Sequence, residues 1–301
     1  MTHDADVIAR PDPIERDFVR GEHRYELLTW PEINEAVAQE KVVVLPIGSV
    51  EQHGHHLPLD VDVKLASSVC NAAGARAPET MLVLPAVSYG YTHHVMDFPG
   101  TINVSPVTFV NMLVDIGTSV AYHGFRRIVM VNGHGSNHPL VEQAGRQITL
   151  KTGALCLNIS WWQLIAEYWN EEVRESGPGG CAHACELETS MYMHVDPEGV
   201  RRDRITGAPP DYLDLEGGAE WQKVDLTLGS GPATIVEWTS CTSETGAFGA
   251  PELATDEKGR LVFERSAERL AEMVAWFRTR PDLPRRDRHT EPPSFPLPFG
   301  F

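Results

Sequence analysis

The chain has 301 residues, enough for one large α/β domain with a sizeable core, and 42 acidic against 25 basic side chains give it a formal net charge of −17. Such an acidic chain repels phosphate backbones and anionic lipid surfaces, which argues against nucleic acid and membranes as partners. No uninterrupted apolar run approaches the ~20 residues that cross a bilayer, and residues 1–25 lack the apolar core of a signal peptide, so we expect a cytoplasmic protein.

Apolar patterns predict strands that alternate with helices between residues 31 and 159. The predicted strands are 42–48, 81–85, 127–131 and 154–159; the predicted helices are 31–40, 63–77, one that starts at Pro106 behind an N-capping Ser105, and 139–151, which Gly153 would end. This alternation predicts a largely parallel sheet covered by helices on both sides. We assign residues 1–280 to a single domain.

The first predicted strand runs into a cluster of histidines and carboxylates. Glu51 and His53 lie two residues apart, so both side chains leave the same face of an extended segment, and Asp62 adds a second carboxylate. A carboxylate oxygen beside an imidazole suits Zn, Mn or Fe. The alternative is a solvated polar loop after a core strand.

The loops after the next strands also carry imidazoles. His94 follows the second strand, and His134 stands between two glycines after the third. Because the carboxyl ends of parallel strands meet at one edge of a sheet, these loops should converge there. Asn137 can cap the next helix, so the third loop could also be a capping turn with an incidental histidine. Trp162, after the fourth strand, could line a small-molecule pocket or fill the core.

The segment 181–190 has two interpretations. Cys181, His183 and Cys185 could form a structural zinc site, but closed sites need four ligands and no second cysteine pair lies at finger spacing. Alternatively, His183 and a nearby glutamate join the first cluster, as proton carrier and further ligand. The five cysteines are an odd, scattered set, so we expect reduced thiols rather than a disulfide framework.

Four motifs together resemble the creatininase family of metal-dependent amidohydrolases. They are Gly48-Ser-Val-Glu-Gln-His-Gly-His-His-Leu-Pro-Leu-Asp-Val-Asp62, Phe98-Pro-Gly-Thr101, Asn132-Gly-His-Gly-Ser-Asn137 and His183-Ala-Cys-Glu-Leu-Glu-Thr-Ser190. The resemblance, over roughly residues 27–200, implies a three-layer α/β/α fold, two divalent metal ions per chain (Zn, Mn or Fe), a small-molecule amide substrate and a homo-oligomer, often a hexamer.

The resemblance also implies residue roles. Glu51, His53, Asp62 and His134 fall on the family's metal ligands, with Asp62 bridging both ions, and His183 falls on its general acid/base histidine.

One departure from the family pattern concerns Ser136, which stands where the best-known member carries a glutamate ligand. A further carboxylate is then needed, and we predict Glu186, because it lies three positions after His183 and a helical turn would place both on one face. Glu188 would face oppositely in a helix. The remaining candidates for contact with the substrate or support of the ligands are Glu188, His94, Trp162, Ser136 and Asn137.

The predicted function is hydrolysis of the C–N bond of a small amide, with a cyclic amide as the leading candidate. The alternatives are a peptide-trimming amidohydrolase of the mycofactocin-system peptidase type and a non-catalytic small-molecule binding protein on the same scaffold. Beyond residue 200, we expect strands within 224–238, a small-residue loop at 242–250 that could approach the site, a closing helix at 266–277 and a disordered proline-rich tail at 281–301.

Overall fold

The computed structural model describes residues 21–208, 221–229, 231–292 and 294. Its main sheet has four parallel strands in the order β2-β1-β3-β4. They are β1 Val42–Ile47, β2 Met81–Val83, β3 Arg127–Asn132 and β4 Leu155–Ser160. A two-stranded antiparallel ribbon is formed by β5 Cys181–His183 and β6 Phe248–Gly249. The predicted parallel sheet is therefore confirmed.

Seven α-helices have their bounds within the described residues. They are α1 Trp30–Ala38, α2 Val61–Arg76, α3 Pro106–Tyr122, α4 His138–Thr152, the short α5 Ala166–Tyr168, which continues as a π-helical turn over Trp169–Val173, α6 Glu186–Val195 and α7 Asp256–Thr279. The predicted boundary signals act as expected at two ends. Ser105 Oγ accepts from the Thr108 N–H, and Gly153 ends α4 in the left-handed region at φ 77°.

Helices cover both faces of the sheet, because successive strand residues point to opposite sides. Val42 and Val44 pack into a cluster with residues of α2, α6 and α7. Val43 and Leu45 pack into a second cluster with residues of α3 and α4. This arrangement confirms the α/β fold with helices on both sides of a parallel sheet.

Two predictions for the C-terminal part need correction. Residues 224–229 and 231–238 contain no strand; instead, Asp225 binds the Arg174 guanidinium through both carboxylate oxygens, at 3.1 and 2.7 Å. The closing helix α7 begins at Asp256, ten residues before the predicted start, because the Thr255 side chain caps it by accepting from the Lys258 N–H.

Other predictions remain open. In the tail, the Asp282 carboxylate lies 3.2 Å from guanidinium nitrogens of Arg126 and of Arg127, whereas residues 293 and 295–301 lie outside the described part of the chain. The single domain over residues 1–280 stays a prediction. No helix in the described ranges is long and apolar enough to cross a membrane, and the cytoplasmic location stays a prediction.

Candidate metal centre

The polar loops predicted to converge do meet at the carboxyl end of the main sheet. Glu51 and His53 follow β1, Asp62 lies in the first turn of α2, and His134 follows β3; all four are buried. Gly133 permits this approach, since a Cβ there would lie 2.3 Å from the Asp62 carbonyl oxygen.

Three sets of side chains in the described residues could each hold a metal ion. They are Glu51, Asp62 and His134; His53, Asp62 and Glu188; and Glu51, His53 and His183, with one ligand atom per residue and these atoms within 4.8 Å of one another in each set. Asp62 belongs to the first two sets. Its Oδ1 lies 3.2 Å from His53 Nε2, and its Oδ2 lies 3.2 Å from His134 Nδ1. A carboxylate shared in this way can bridge two ions.

Backbone carbonyl groups orient all three histidines. His53 Nδ1 lies 3.2 Å from the Glu51 oxygen, His134 Nε2 3.1 Å from the Tyr91 oxygen, and His183 Nε2 2.8 Å from the Gln52 oxygen. A carbonyl oxygen only accepts, so each of these ring nitrogens must carry the proton. In the neutral rings, the other nitrogen therefore presents a lone pair to the carboxylates, as in metal-binding histidines.

Two buried atoms at the centre lack hydrogen bonds. Among the described residues, His53 Nε2 and Asp62 Oδ2 have no hydrogen-bond partner, although each has an oppositely charged or ionisable neighbour 3.2 Å away. Unpartnered buried polar atoms are costly, and a cation between them would satisfy both. Nitrogen and oxygen donors of this kind fit divalent Zn, Mn or Fe.

The electrostatics of the cluster also favour added positive charge. Burial acts to lower the pKa of His53, but the Asp62 carboxylate outweighs it and raises the pKa to about 9. For His134, Glu51 and Asp62 likewise overcome burial and raise the pKa well above its usual value. The protein alone thus draws protons into the cluster, and divalent cations would supply the same charge.

Glu186, the predicted fifth ligand, does not face this cluster. Its carboxylate accepts from Lys258 Nζ at 2.6 Å and from the backbone N–H groups of Glu175 and Ser176 at 3.1 and 2.9 Å. This placement contradicts the prediction. His183 lies in β5, and α6 begins only at Glu186, so the assumed common helical turn does not exist.

Glu188 takes the position predicted for Glu186. It is 4% exposed and lies with His53 and Asp62 in one candidate ligand set. Burial raises the pKa of its carboxyl to about 7. These contacts agree with the expectation that the two glutamates face in opposite directions. However, the glutamate in the candidate ligand set is Glu188 and not, as predicted, Glu186.

His183 and His94 approach the cluster from different sides. The His183 ring lies 4.3 Å from the His53 ring, and its Nδ1 lies 3.5 Å from Glu51 Oε1. Burial and the neighbouring His53 lower the pKa of His183 to about 4. His94 stacks on His134 with ring centroids 6.2 Å apart. Both residues therefore border the cluster of candidate ligands.

The remaining candidates have structural surroundings. Trp162 is 5% exposed and packs in the apolar core, where its ring contacts Trp161. Ser136 belongs to none of the candidate ligand sets in the described residues. Asn137 makes no side-chain cap of α4; it donates to the Gly48 oxygen at 3.0 Å and accepts from the Tyr91 N–H at 2.8 Å.

The alternative zinc site of Cys181, His183 and Cys185 is not assembled. The two sulfur atoms lie 3.8 Å apart, but His183 turns towards Glu51 and Gln52. All five cysteines are free, in agreement with the predicted reduced thiols.

Sequence reasoning missed two supporting residues. The Thr92 hydroxyl donates to Glu51 Oε2, and Thr101 Oγ1 accepts from the Gln52 N–H at 3.2 Å. Both lie in the polar loop after β2, in or close to the Phe98–Thr101 motif. The threonines of that polar loop could have been predicted to support the ligands, because ligand carboxylates usually accept further hydrogen bonds.

Comparison with known proteins decides the family. The family model described as Creatininase, Creatinine amidohydrolase, matches residues 26–274. The chain belongs to the creatininase family. Relatives of this creatininase-family chain include the mycofactocin precursor peptide peptidase of Mycobacterium tuberculosis (strain ATCC 25618 / H37Rv), 32% identical over 254 residues that cover 80% of this chain and 87% of the relative. The creatinine amidohydrolase of Pseudomonas putida is 28% identical over 263 residues, covering 82% and 94%.

A more distant relative is the 3-dehydro-scyllo-inosose hydrolase of Thermotoga maritima, 25% identical over 263 residues that cover 83% of this chain and 82% of the relative. Among solved structures, one described as creatininase Mn has a TM-score of 0.71 at 25% identity and covers 86% of this chain and 100% of its own. A mutant creatininase of the Zn-Zn type gives a TM-score of 0.71 at 25% identity and covers 86% and 99%. Family members with manganese and with zinc thus share this fold.

Proposed function

We propose that this creatininase-family chain is an amidohydrolase that cleaves a C–N amide bond of a small molecule with two bound divalent ions. The observation that carries the proposal is Asp62, shared between two candidate ligand sets. Glu51, Asp62 and His134 would hold one ion, and His53, Asp62 and Glu188 the other. When bound, such ions lower the pKa of a shared water and polarise the substrate carbonyl.

His183 supplies the proton transfer in this proposal. With its pKa lowered to about 4 by burial, the ring is neutral at neutral pH. Its Nε2–H donates to the Gln52 oxygen at 2.8 Å, which leaves Nδ1 free to accept a proton from the attacking water. The leaving nitrogen of an amide must be protonated, and the same Nδ1 can deliver that proton. No serine, cysteine or threonine nucleophile is needed.

Two substrate classes fit the relatives almost equally well. A creatinine amidohydrolase at 28% identity favours a small cyclic amide, and a mycofactocin precursor peptide peptidase at 32% favours a peptide. The third possibility, a non-catalytic binding protein, was suggested by Ser136 in place of a ligand. Glu188 weakens that alternative, because it offers the missing carboxylate from another element. We also predict a homo-oligomer, with a hexamer favoured. Analytical ultracentrifugation would measure the number of chains in it.

The proposed function is tested by metal analysis and a substrate panel. We expect about two Zn, Mn or Fe ions per chain and hydrolysis of at least one lactam, cyclic urea, formamide or short peptide. His183→Gln should keep both ions and lose about 10²-fold or more in kcat. His123→Gln, an exposed histidine at the end of α3, is the matched control.

The outcomes separate the three functions. Turnover of cyclic amides or of peptides identifies the substrate class. A chain that binds no metal after reconstitution and hydrolyses nothing would favour the binding protein. Wild-type turnover by His183→Gln would transfer the proton-carrying role, with His94 as the next candidate because it stacks on His134.

A further inference from the structure

Gln52 lies between two candidate ligands, Glu51 and His53, but belongs to none of the ligand sets. It is only 5% exposed. Its backbone N–H donates to Thr101 Oγ1 at 3.2 Å, and its backbone oxygen accepts from His183 Nε2 at 2.8 Å. The backbone of Gln52 therefore already supports the proposed proton carrier.

The side-chain amide of Gln52 joins two parts of the site. Its Oε1 accepts from the Gly54 N–H at 2.9 Å, which fixes the orientation of the amide group. Its Nε2 donates to the Gly246 oxygen at 2.8 Å and lies 3.1 Å from His183 Nε2. One side chain thus links the loop that carries the ligands to the 242–250 loop and lies beside the His183 ring, without a hydrogen bond to it, because both nitrogens carry protons.

The 242–250 loop is shaped to receive this amide. A Cβ at Gly246 would lie 2.1 Å from Gln52 Oε1, and Gly246 has φ +84°. The Ser243 hydroxyl accepts from the Gly246 N–H at 3.0 Å and donates to the Ala247 oxygen at 2.9 Å, which stabilises the turn. The 242–250 loop therefore approaches the site as predicted, and its contact there is with Gln52.

The same segment contains the strand that pairs with the strand carrying His183. Phe248 and Gly249 form β6, which pairs with β5, and His183 is the last residue of β5. The His183 ring is therefore held by the Gln52 carbonyl on one side and by the β5–β6 ribbon on the other. The Gln52–Gly246 hydrogen bond is the side-chain link between these two supports.

We propose that Gln52 is a positioning residue for His183: its amide binds the Gly246 carbonyl and so keeps the ligand loop and the β5–β6 ribbon in the relation that points His183 Nδ1 towards the cluster. The inference rests on the proposed function, in which His183 carries the proton. Loss of the link should let the ring turn, and it should affect proton transfer more than substrate or metal binding.

Two variants break the link from opposite sides. Gln52→Met keeps the side-chain length but removes its hydrogen bonds, and Gly246→Ala places a methyl group against Gln52 Oε1. Gly229→Ala is the matched control, because Gly229 has nearly the same φ, +85°, but no atom of the described residues lies within 4 Å of its would-be Cβ. The control introduces equal backbone strain without touching the link.

The kinetic arm measures kcat, KM and bound metal. Both test variants should lower kcat by about 10- to 100-fold, as loss of supporting contacts around metal sites does, while KM and metal content change by about twofold or less. The double variant should be no slower than the slower single variant, because both substitutions break one contact. The Gly229→Ala variant should match wild type.

The second arm does not depend on activity. In protein labelled with ¹⁵N-histidine, the His183 Nε2–H held by the Gln52 carbonyl should give a protected proton signal, identified by its loss in His183→Gln. We expect the signal in wild type and Gly229→Ala, and its loss or broadening in Gln52→Met and Gly246→Ala. If Gly246→Ala fails to fold in thermal denaturation, the isosteric Gln52→Met alone decides.

Unchanged signal and kcat in Gln52→Met would overturn the inference, as would the absence of the signal from wild type. Equal losses of kcat and metal would also overturn it, since Gln52 would then support the metal ligands in general. If wild type hydrolyses no amide, the proposed function fails, and the proton signal still tests the role of Gln52.

Discussion

Two glutamates at the start of α6 are both buried but have different surroundings. Glu186 is fully buried and binds Lys258 Nζ at 2.6 Å together with two backbone N–H groups. Glu188 is 4% exposed and lies in a set with His53 and Asp62, with the Cys185 sulfur 3.8 Å from its Oε2. Within the described residues, no lysine or arginine forms an ion pair with Glu188.

The acidities of the two groups follow from these surroundings. Burial acts to raise the pKa of both carboxyl groups, but for Glu186 the Lys258 hydrogen bond outweighs it and lowers the pKa. For Glu188 burial prevails and raises the pKa to about 7. The Lys258 ammonium balances the charge of the Glu186 carboxylate, whereas no lysine or arginine of the described residues does so for Glu188. This difference indicates which face of α6 would be turned to the cation in the proposed metal centre.

The largest effect is expected at Asp62, the residue that faces Glu188 across the cluster. Asp62→Ala should reduce bound metal from about two ions per chain to near none, because each ion loses a ligand, and activity should disappear with the metal. The measurement is elemental analysis with kinetics. Asp60→Ala is the control, since Asp60 binds the Tyr192 hydroxyl at 2.8 Å outside the candidate sets. Full metal occupancy in Asp62→Ala would rule out the bridging assignment.

Glu188→Gln should remove one ion and leave the other. The ion held with His53 and Asp62 loses its third protein ligand, whereas the Glu51, Asp62 and His134 set stays complete. We expect about one ion per chain and a loss of about 10²-fold in activity. Elemental analysis of Glu188→Gln and Glu186→Gln in parallel tests the comparison directly, because Glu186→Gln should keep both ions. Two ions in Glu188→Gln and one in Glu186→Gln would reverse it.

Glu186→Gln should change stability rather than catalysis. Without the carboxylate, the buried Lys258 ammonium loses its buried partner, and the free energy of unfolding should fall by about 3 kcal/mol. Denaturant unfolding of the metal-loaded protein measures this change, with activity kept within a few-fold of wild type. The additional change Lys258→Met should restore part of the loss, since no buried charge is then left unpaired; the other partner of Lys258, the Glu175 carboxylate, is exposed to solvent. A loss of metal in Glu186→Gln would contradict the structural assignment.

The smallest effect concerns pH in protein stripped of metal. The pKa of His53 is raised to about 9 and that of His134 is also raised, so both stabilise the fold below about pH 6.5, the pKa of an unfolded histidine, and this contribution is lost as pH rises towards 9. The midpoint of thermal unfolding should therefore fall by a few degrees between about pH 6.5 and 9.

The metal-loaded protein is the control for that titration. Ions bind the deprotonated ligands, so its stability should hold or rise over the same pH range. Circular dichroism melts with and without a chelator measure both cases. A metal-free midpoint that rises with pH would show that Glu51 and Asp62 do not raise the pKa values of these two histidines.

Much of the fold was predictable from local pattern. Strand and helix periodicities placed the four parallel strands and α1 to α4, because burial on both sheet faces requires apolar runs and covering helices require apolar stripes. The polar loops that follow β1 and β3 could be located in the sequence because ligands bind where parallel strands end. Position in the sheet thus predicted that Glu51, His53, Asp62 and His134 would lie close together, and the resemblance to the creatininase family implied their role as metal ligands.

The tertiary structure decided between the two glutamates. Spacing placed Glu186 beside His183 only if both lay on one helix, but the chain folds His183 into β5 through pairing with β6, 65 residues later. Lys258, 72 residues beyond Glu186, then compensates that carboxylate and leaves Glu188 for the cluster. Such long-range pairings have no periodic signal in the sequence. They are set by which buried charges can meet once the core has formed.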